Sequence, residues 1–164
     1  MRKEGEGFNY GYLLLGLGTL IVFILIFSFD SSKYSEDHTV DKDYKDGKIC
    51  FKQNCFDTEV VNTEIRRQRG LSFEDNMALD KGMLFIFDEE GQHPMWMKDM
   101  NFPLDMVWIN DDSKIVAISA EVQPCGEGVC STFSNSDPAR YVLELNSGIV
   151  KELGLKLGDS VEII

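Results

Sequence analysis

His93, Met95, Met97 and Met100 bring an imidazole and three thioethers together beside Trp96. Soft sulfur with imidazole is a ligand set for Cu(I), so a copper-binding protein of periplasmic type is one chemistry these residues could support. Packing accounts for them equally well. Strand alternation puts Met95 and Met97 on one face and Trp96 on the other, and methionine readily fills irregular core gaps. A second group is polar: Trp96, Lys98, Asn101, Asp105, Arg140 and Glu144, with Arg66, Arg67 and Arg69 nearby in sequence to one another. An aromatic face with a few convergent charges suits a small polar ligand such as a sugar or peptide fragment, and guanidinium suits bidentate recognition of carboxylates. The structural alternative is that Asp105 and Arg140 pair to pin adjacent strands, Trp96 fills the core, and the arginines make exposed ion pairs with nearby acids. A third chemistry, hydrolysis of an envelope polymer, would use Asp105 and Glu144 as a carboxylate pair. No serine stands in a nucleophile-elbow motif, and of the two histidines His38 lies in a polar run far from His93. The residue types therefore favour binding over catalysis and imply no cofactor.

Cys50 and Cys55 form one C-x4-C pair, Cys125 and Cys130 another. This spacing is unlike the C-x2-C of zinc knuckles or of thioredoxin-type redox sites, and bridging depends on the compartment. The compartment is indicated by the N-terminus. Phe8–Phe29 is a run of 22 uncharged residues, long enough at about 1.5 Å per residue to cross the ~30 Å hydrocarbon core as a helix. No small-x-small cleavage site follows, so the run reads as an uncleaved anchor whose partner is the lipid bilayer. Arg2, Lys3 and the terminal amine precede it, while the segment after it is net acidic. The N-terminus is therefore expected in the cytoplasm and the rest of this single-pass chain outside it. There, bridges Cys50–Cys55 and Cys125–Cys130 become reasonable, each tying a short loop.

The formal net charge is −12. Charges cancel over residues 1–29, residues 30–47 contribute −3, and −9 remains for residues 48–164. So acidic a domain repels nucleic acid and anionic lipid and weakly favours cationic ligands. Asp30–Gly47 has Val40 as its one aliphatic residue and reads as a polar linker. The domains are thus an anchor at 1–29, a linker at 30–47 and an extracytoplasmic domain at 48–164.

Within that domain, short apolar runs bounded by turn residues predict strands at 48–52, 58–61, 82–87, 95–98, 104–109, 114–122, 140–145 and 160–164. Thr63 is placed to cap a helical turn over 64–69 ended by Gly70, and Ser72 with Asp75 suggests a further turn over 76–79. Asn146 or Ser147 is placed to cap a helix over 148–153, ended by Gly154. Residues 123–139 form a long irregular loop. The expected fold is α+β, a small β-rich barrel-like domain with short helices, preceded by one transmembrane helix.

Several motifs are specific enough to compare with a known family. Arg67-Gln68-Arg69-Gly70-Leu71, GMLFIF at Gly82–Phe87, WMKDMNFPLD at Trp96–Asp105, ARYVLEL at Ala139–Leu145 and the closing GLKLGDSVEI resemble the domain of unknown function 192 family. The resemblance spans about residues 56–164. It implies a compact β-rich domain, commonly exported or membrane-anchored, with no established reaction. Met100 stands where a small polar residue is usual in that pattern, and Ser72 where methionine is usual.

Overall fold

The computed structural model describes residues 45–126 and 128–164. The expected anchor at 8–29 and linker residues 30–44 lie outside the described residues. Among the described residues, no helix is long and apolar enough to cross a membrane.

All six residues of Leu104–Ile109 are buried, which requires a strand inside a sheet covered on both faces. Among the described residues this strand, β5, is one of nine: β1 Lys45–Phe51, β2 Asn54–Val61, β3 Lys81–Gly91, β4 Met95–Trp96, β5, β6 Ile115–Val122, β7 Thr132–Phe133, β8 Ala139–Asn146 and β9 Glu162–Ile163. Short helices join them, α1 over Glu64–Arg69 and α2 over Ile149–Leu153. Seven strands form one sheet in the order β6-β5-β8-β3-β2-β1-β9, and β4 pairs with β7 in a separate ribbon. Pairing in the large sheet is antiparallel except between β2 and β3, which are parallel and connected through α1. The domain is mostly β, a half-barrel-like sheet with few short helices.

The end of the chain links the two sides of this sheet. Gly158 N–H donates to Ile115 O at 2.8 Å and Val161 N–H to Ser113 O at 2.9 Å. A few residues on, Ile164 and Lys48 exchange two backbone bonds at 2.8 and 3.0 Å. One short segment thus satisfies backbone groups both at the start of β6, at one end of the strand order, and on β1, next to the other end.

Side-chain alternation sorts the apolar residues into two cores. Leu84 of β3, Val107 and Ile109 of β5, and Leu143 and Leu145 of β8 face inward with Ile49, Phe51, Ile115 and Val150. Met83 and Phe85, Met106 and Trp108, and Val142 face the other way, under Leu71, Met97 and Val122. A slip of one residue in β5 or β8 would exchange the two sets, so the pattern fixes the register. Gly82 is required by a close approach: a Cβ there would lie 2.9 Å from Glu144 O.

Several local expectations are corrected. β1 begins at Lys45 and β2 at Asn54, so the hairpin turns tightly at Lys52-Gln53, with Cys50 and Cys55 directly paired and bridged. No helix forms over 76–79, because Ser72 Oγ instead donates to Lys98 O at 3.0 Å. Thr63 holds the N-cap position of α1 without a side-chain bond to it. At α2 the N-cap is Gly148, and Asn146 turns away to bond Met77 O and Ala78 O. β3 runs on to Gly91 through an irregularity after Ile86, and β7 lies within the segment expected to be all loop.

Candidate functional site

β8 is central in the sheet, and its residues 142–145 are all buried, yet one of them is Glu144. Glu144 stands opposite Met83 on β3 and Met106 on β5, so its carboxyl shares the face of the second core. Oε2 is buried and has no hydrogen-bond partner. Burial among apolar groups penalises the ionised form and pushes the Glu144 carboxyl up to about 8, so it is mostly protonated at neutral pH.

Glu144 forms part of a cavity of about 510 Å³. Gly70, Leu71, Phe85, Met95, Trp96 and Met100 supply much of its largely apolar wall, with Glu64, Arg67 and Arg69 of α1 alongside. Each wall has a structural support. α1 is anchored by Arg67, whose Nη1 donates to Asn62 O at 2.9 Å and to Ile86 O at 3.0 Å, and whose Nη2 pairs with Glu64 at 3.1 Å. The same guanidinium lies over the Phe87 ring, 5.3 Å from its centroid, and Phe87 stacks on His93 with centroids 3.6 Å apart. Gly70 ends α1 at φ 48°, a conformation that strains any other residue, and brings the chain against Phe85. Opposite, the β4–β7 ribbon pairs Met95 with Phe133 and Trp96 with Thr132. Behind it the Cys125–Cys130 bridge closes the loop, and Cys125 N–H donates to Met97 O at 3.1 Å.

The candidates read from sequence separate into distinct places. Arg69, Trp96 and Glu144 line the cavity together with Met95 and Met100. Arg66 is tied to the Glu59 carboxylate and to Val60 O. Asn101 Nδ2 donates to Glu74 O at 3.0 Å, and Lys98 is exposed on the same connecting segment. Arg140 approaches Asp111 at 3.7 Å, not Asp105.

Asp105 lies on the opposite face of the sheet from Glu144, since it pairs with Leu145, and it is fully buried. Its Oδ1 accepts from Glu121 N–H at 2.7 Å and its Oδ2 from Val150 N–H at 2.8 Å. It therefore supplies the cap that α2 lacks from its own N-cap residue and fixes β6 beside it. The expected convergence of Trp96, Lys98, Asp105 and Arg140 in one pocket does not occur, nor does an Asp105–Glu144 carboxylate pair.

The soft-ligand group is divided as well. Met97 is fully buried in the second core. His93 is held by the Phe87 stack, its N–H donating to Asn135 Oδ1 at 2.9 Å and its carbonyl accepting from Trp108 Nε1 at 2.9 Å. Burial, with a smaller contribution from Arg67, holds its imidazole below the ordinary histidine value. Among the described residues, no three of His, Cys, Asp and Glu cluster as a metal site would require.

Phe85, Phe87 and Asn135 are not singled out as site or support residues by the sequence, and Arg67 is marked there only as one of three neighbouring arginines. The readable signal was Glu144 itself, a carboxylate inside an uninterrupted buried run.

The family model named DUF192 and described as an uncharacterised ACR matches residues 48–163. Among solved structures, a Sinorhizobium meliloti 1021 protein described provisionally as a transcription regulator is similar at 35% identity, over 71% of this chain and 91% of its own, with a TM-score of 0.64. A Novosphingobium aromaticivorans DSM 12444 protein of unknown function is similar at 27% identity, over 71% and 83%, also with a TM-score of 0.64. No curated protein matches the chain.

Proposed function

The chain belongs to the DUF192 family, whose function is uncharacterised, and from that premise we propose that it is a membrane-anchored extracytoplasmic module that binds a small ligand in the cavity over Glu144. The observation that carries this reading is the unpartnered Glu144 carboxyl within an apolar wall. A buried polar atom without a partner costs on the order of 1–3 kcal/mol, a cost that a ligand reaching the carboxyl would remove. A cavity of about 510 Å³ falls in the range typical of small-molecule sites. The placement outside the cytoplasm is supported by the uncharged run at 8–29, by its basic N-terminal flank and by two disulfides with no free cysteine among the described residues. The anchor would tether the binding domain to the membrane surface, where it would meet envelope components.

A fragment library screened against the full chain in detergent, read as a shift in melting temperature, tests the binding half. Stabilising fragments whose effect disappears in Trp96→Ala support it, and a set that stabilises wild type and Trp96→Ala alike overturns it. Protease added to intact cells tests the placement. Cleavage of the domain from outside is expected, and protection until the cells are lysed sinks the extracytoplasmic assignment.

A further inference from the structure

We infer that the cavity over Glu144 takes a small organic cation, a primary ammonium on a compact apolar or aromatic body, with the ammonium donating to Glu144 Oε2; this rests on the ligand-binding reading above. The first ground is the floor of the site. Oε2 is buried without a partner, on a residue only 4% exposed that lines the cavity, so a polar group entering the cavity is what can satisfy it. An apolar ligand would leave it orphaned, whereas an ammonium exchanges the carboxyl proton for a charge-assisted hydrogen bond to the carboxylate.

The second ground is the arginine that could have reversed this preference. Arg67 shares the cavity, but its Nη1 is used by two backbone carbonyls, its Nη2 is bound to the Glu64 carboxylate, and its plane covers Phe87. It braces the wall and is poorly placed to receive an anion. Arg69, the other cation of α1 at the cavity, is 71% exposed in its side chain and 4.0 Å from Glu74. Glu64 also lines the cavity, its two carboxylate oxygens taken by Arg67 and Gln68. The wall itself suits a cation with an apolar body: the aromatic residues Phe85 and Trp96 and the thioethers Met95 and Met100 are polarisable groups that attract ammonium and pack against hydrocarbon. The net −9 of residues 48–164 adds a field that concentrates cations near the domain.

The proton balance is definite. Neutral Glu144 meets R–NH3+, the carboxyl proton leaves to solvent, and a carboxylate–ammonium pair remains. With Glu144 pushed up to about 8 in the free protein, binding at pH 7 releases most of one proton per cation bound. Affinity should then rise close to tenfold per pH unit between pH 5 and 7 and level off above 8. His93 is stacked on Phe87, and burial is the cause of the raised Glu144 value, so this profile belongs to Glu144.

The test is isothermal titration of the full chain in detergent with benzylammonium chloride, benzyl alcohol and sodium benzoate, at pH 7 in two buffers of different ionisation enthalpy. Benzylammonium is expected to bind with release of close to one proton, at least tenfold more tightly than the alcohol, and benzoate not at all. Glu144→Gln should abolish both the preference and the proton release. Alcohol binding as tightly as ammonium, or ammonium binding without proton release, overturns the cation assignment while leaving a ligand site in place. Binding of none of the three overturns the cation assignment, and whether the ligand-binding reading falls with it is decided by the fragment screen. Should Glu144→Gln fail to fold, the proton count and pH profile of the wild type decide alone.

Discussion

Because Glu144 titrates near 8 in the folded chain and near the ordinary carboxylate value of 4.5 when exposed, the protein should lose stability as pH rises. Between those two values the unfolded chain has already released the proton that the folded chain still holds, so unfolding is favoured progressively with each increment of pH. At 1.36 kcal/mol per pH unit, an interval of about 3.5 gives about 5 kcal/mol. That would be a large share of the stability of a domain this size, on the order of 15–20 °C in melting temperature. The perturbation that isolates the effect is Glu144→Gln, which keeps the shape and polarity of the side chain and removes its titration. Urea unfolding of wild type and Glu144→Gln at intervals from pH 4.5 to 8.5 should give curves whose difference grows with pH, with the glutamine variant more stable at the alkaline end. All other titrations cancel in that difference. Two parallel curves would refute the reasoning, because they would mean that the carboxyl ionises in the folded chain as readily as in the unfolded one.

Asp105→Ala should cost about 3 kcal/mol or more in urea unfolding, since it strips charged acceptors from the buried Val150 N–H and from Glu121 N–H, and a loss below 1 kcal/mol would contradict its capping role. Gly82→Ala should destabilise by about 2 kcal/mol because the new Cβ meets Glu144 O at 2.9 Å, whereas a neutral result in the same assay would mean that β3 and β8 separate easily. Replacing Cys125 and Cys130 by serine should cost about 2 kcal/mol for so short a loop and should speed amide exchange at Met95–Trp96, and unchanged exchange there would show that the ribbon holds without the bridge.

The strands were legible because their sequences alternate or run apolar between strong turn residues, as Leu104–Ile109 does before Asn110-Asp111-Asp112-Ser113. Both disulfide pairings were legible from the two C-x4-C spacings together with the expectation of an oxidising compartment. The partners of polar side chains were much less so. Asp105 was read as a ligand group because nothing local reveals that a helix more than forty residues later needs its carboxylate. Arg67 was grouped with its neighbours, although its bonds to Asn62 O and Ile86 O depend on the crossover bringing α1 back over the end of β3. Asn146 looked like a helix cap, but the carbonyls of Met77 and Ala78, distant in sequence, compete for its amide. Glu144 lies between these cases. Its burial could be read from the leucines and valine around it, but the cavity above it is built by α1 and the β4–β7 ribbon, whose meeting no short-range pattern encodes.

The segment that bonds to both β1 and the start of β6 has a consequence for how the domain comes to its native state. Until Gly158–Ile164 is in place, β1 has an unpaired edge and the start of β6 lacks its partners, each a template for another chain. These contacts join the beginning and the end of the domain, so they are among the most non-local it makes and among the slowest to form. The interval between collapse of the central strands and arrival of that last segment is when self-association is most favoured. Substitutions that weaken the seal should therefore appear first as aggregation during folding, before any loss of the finished structure.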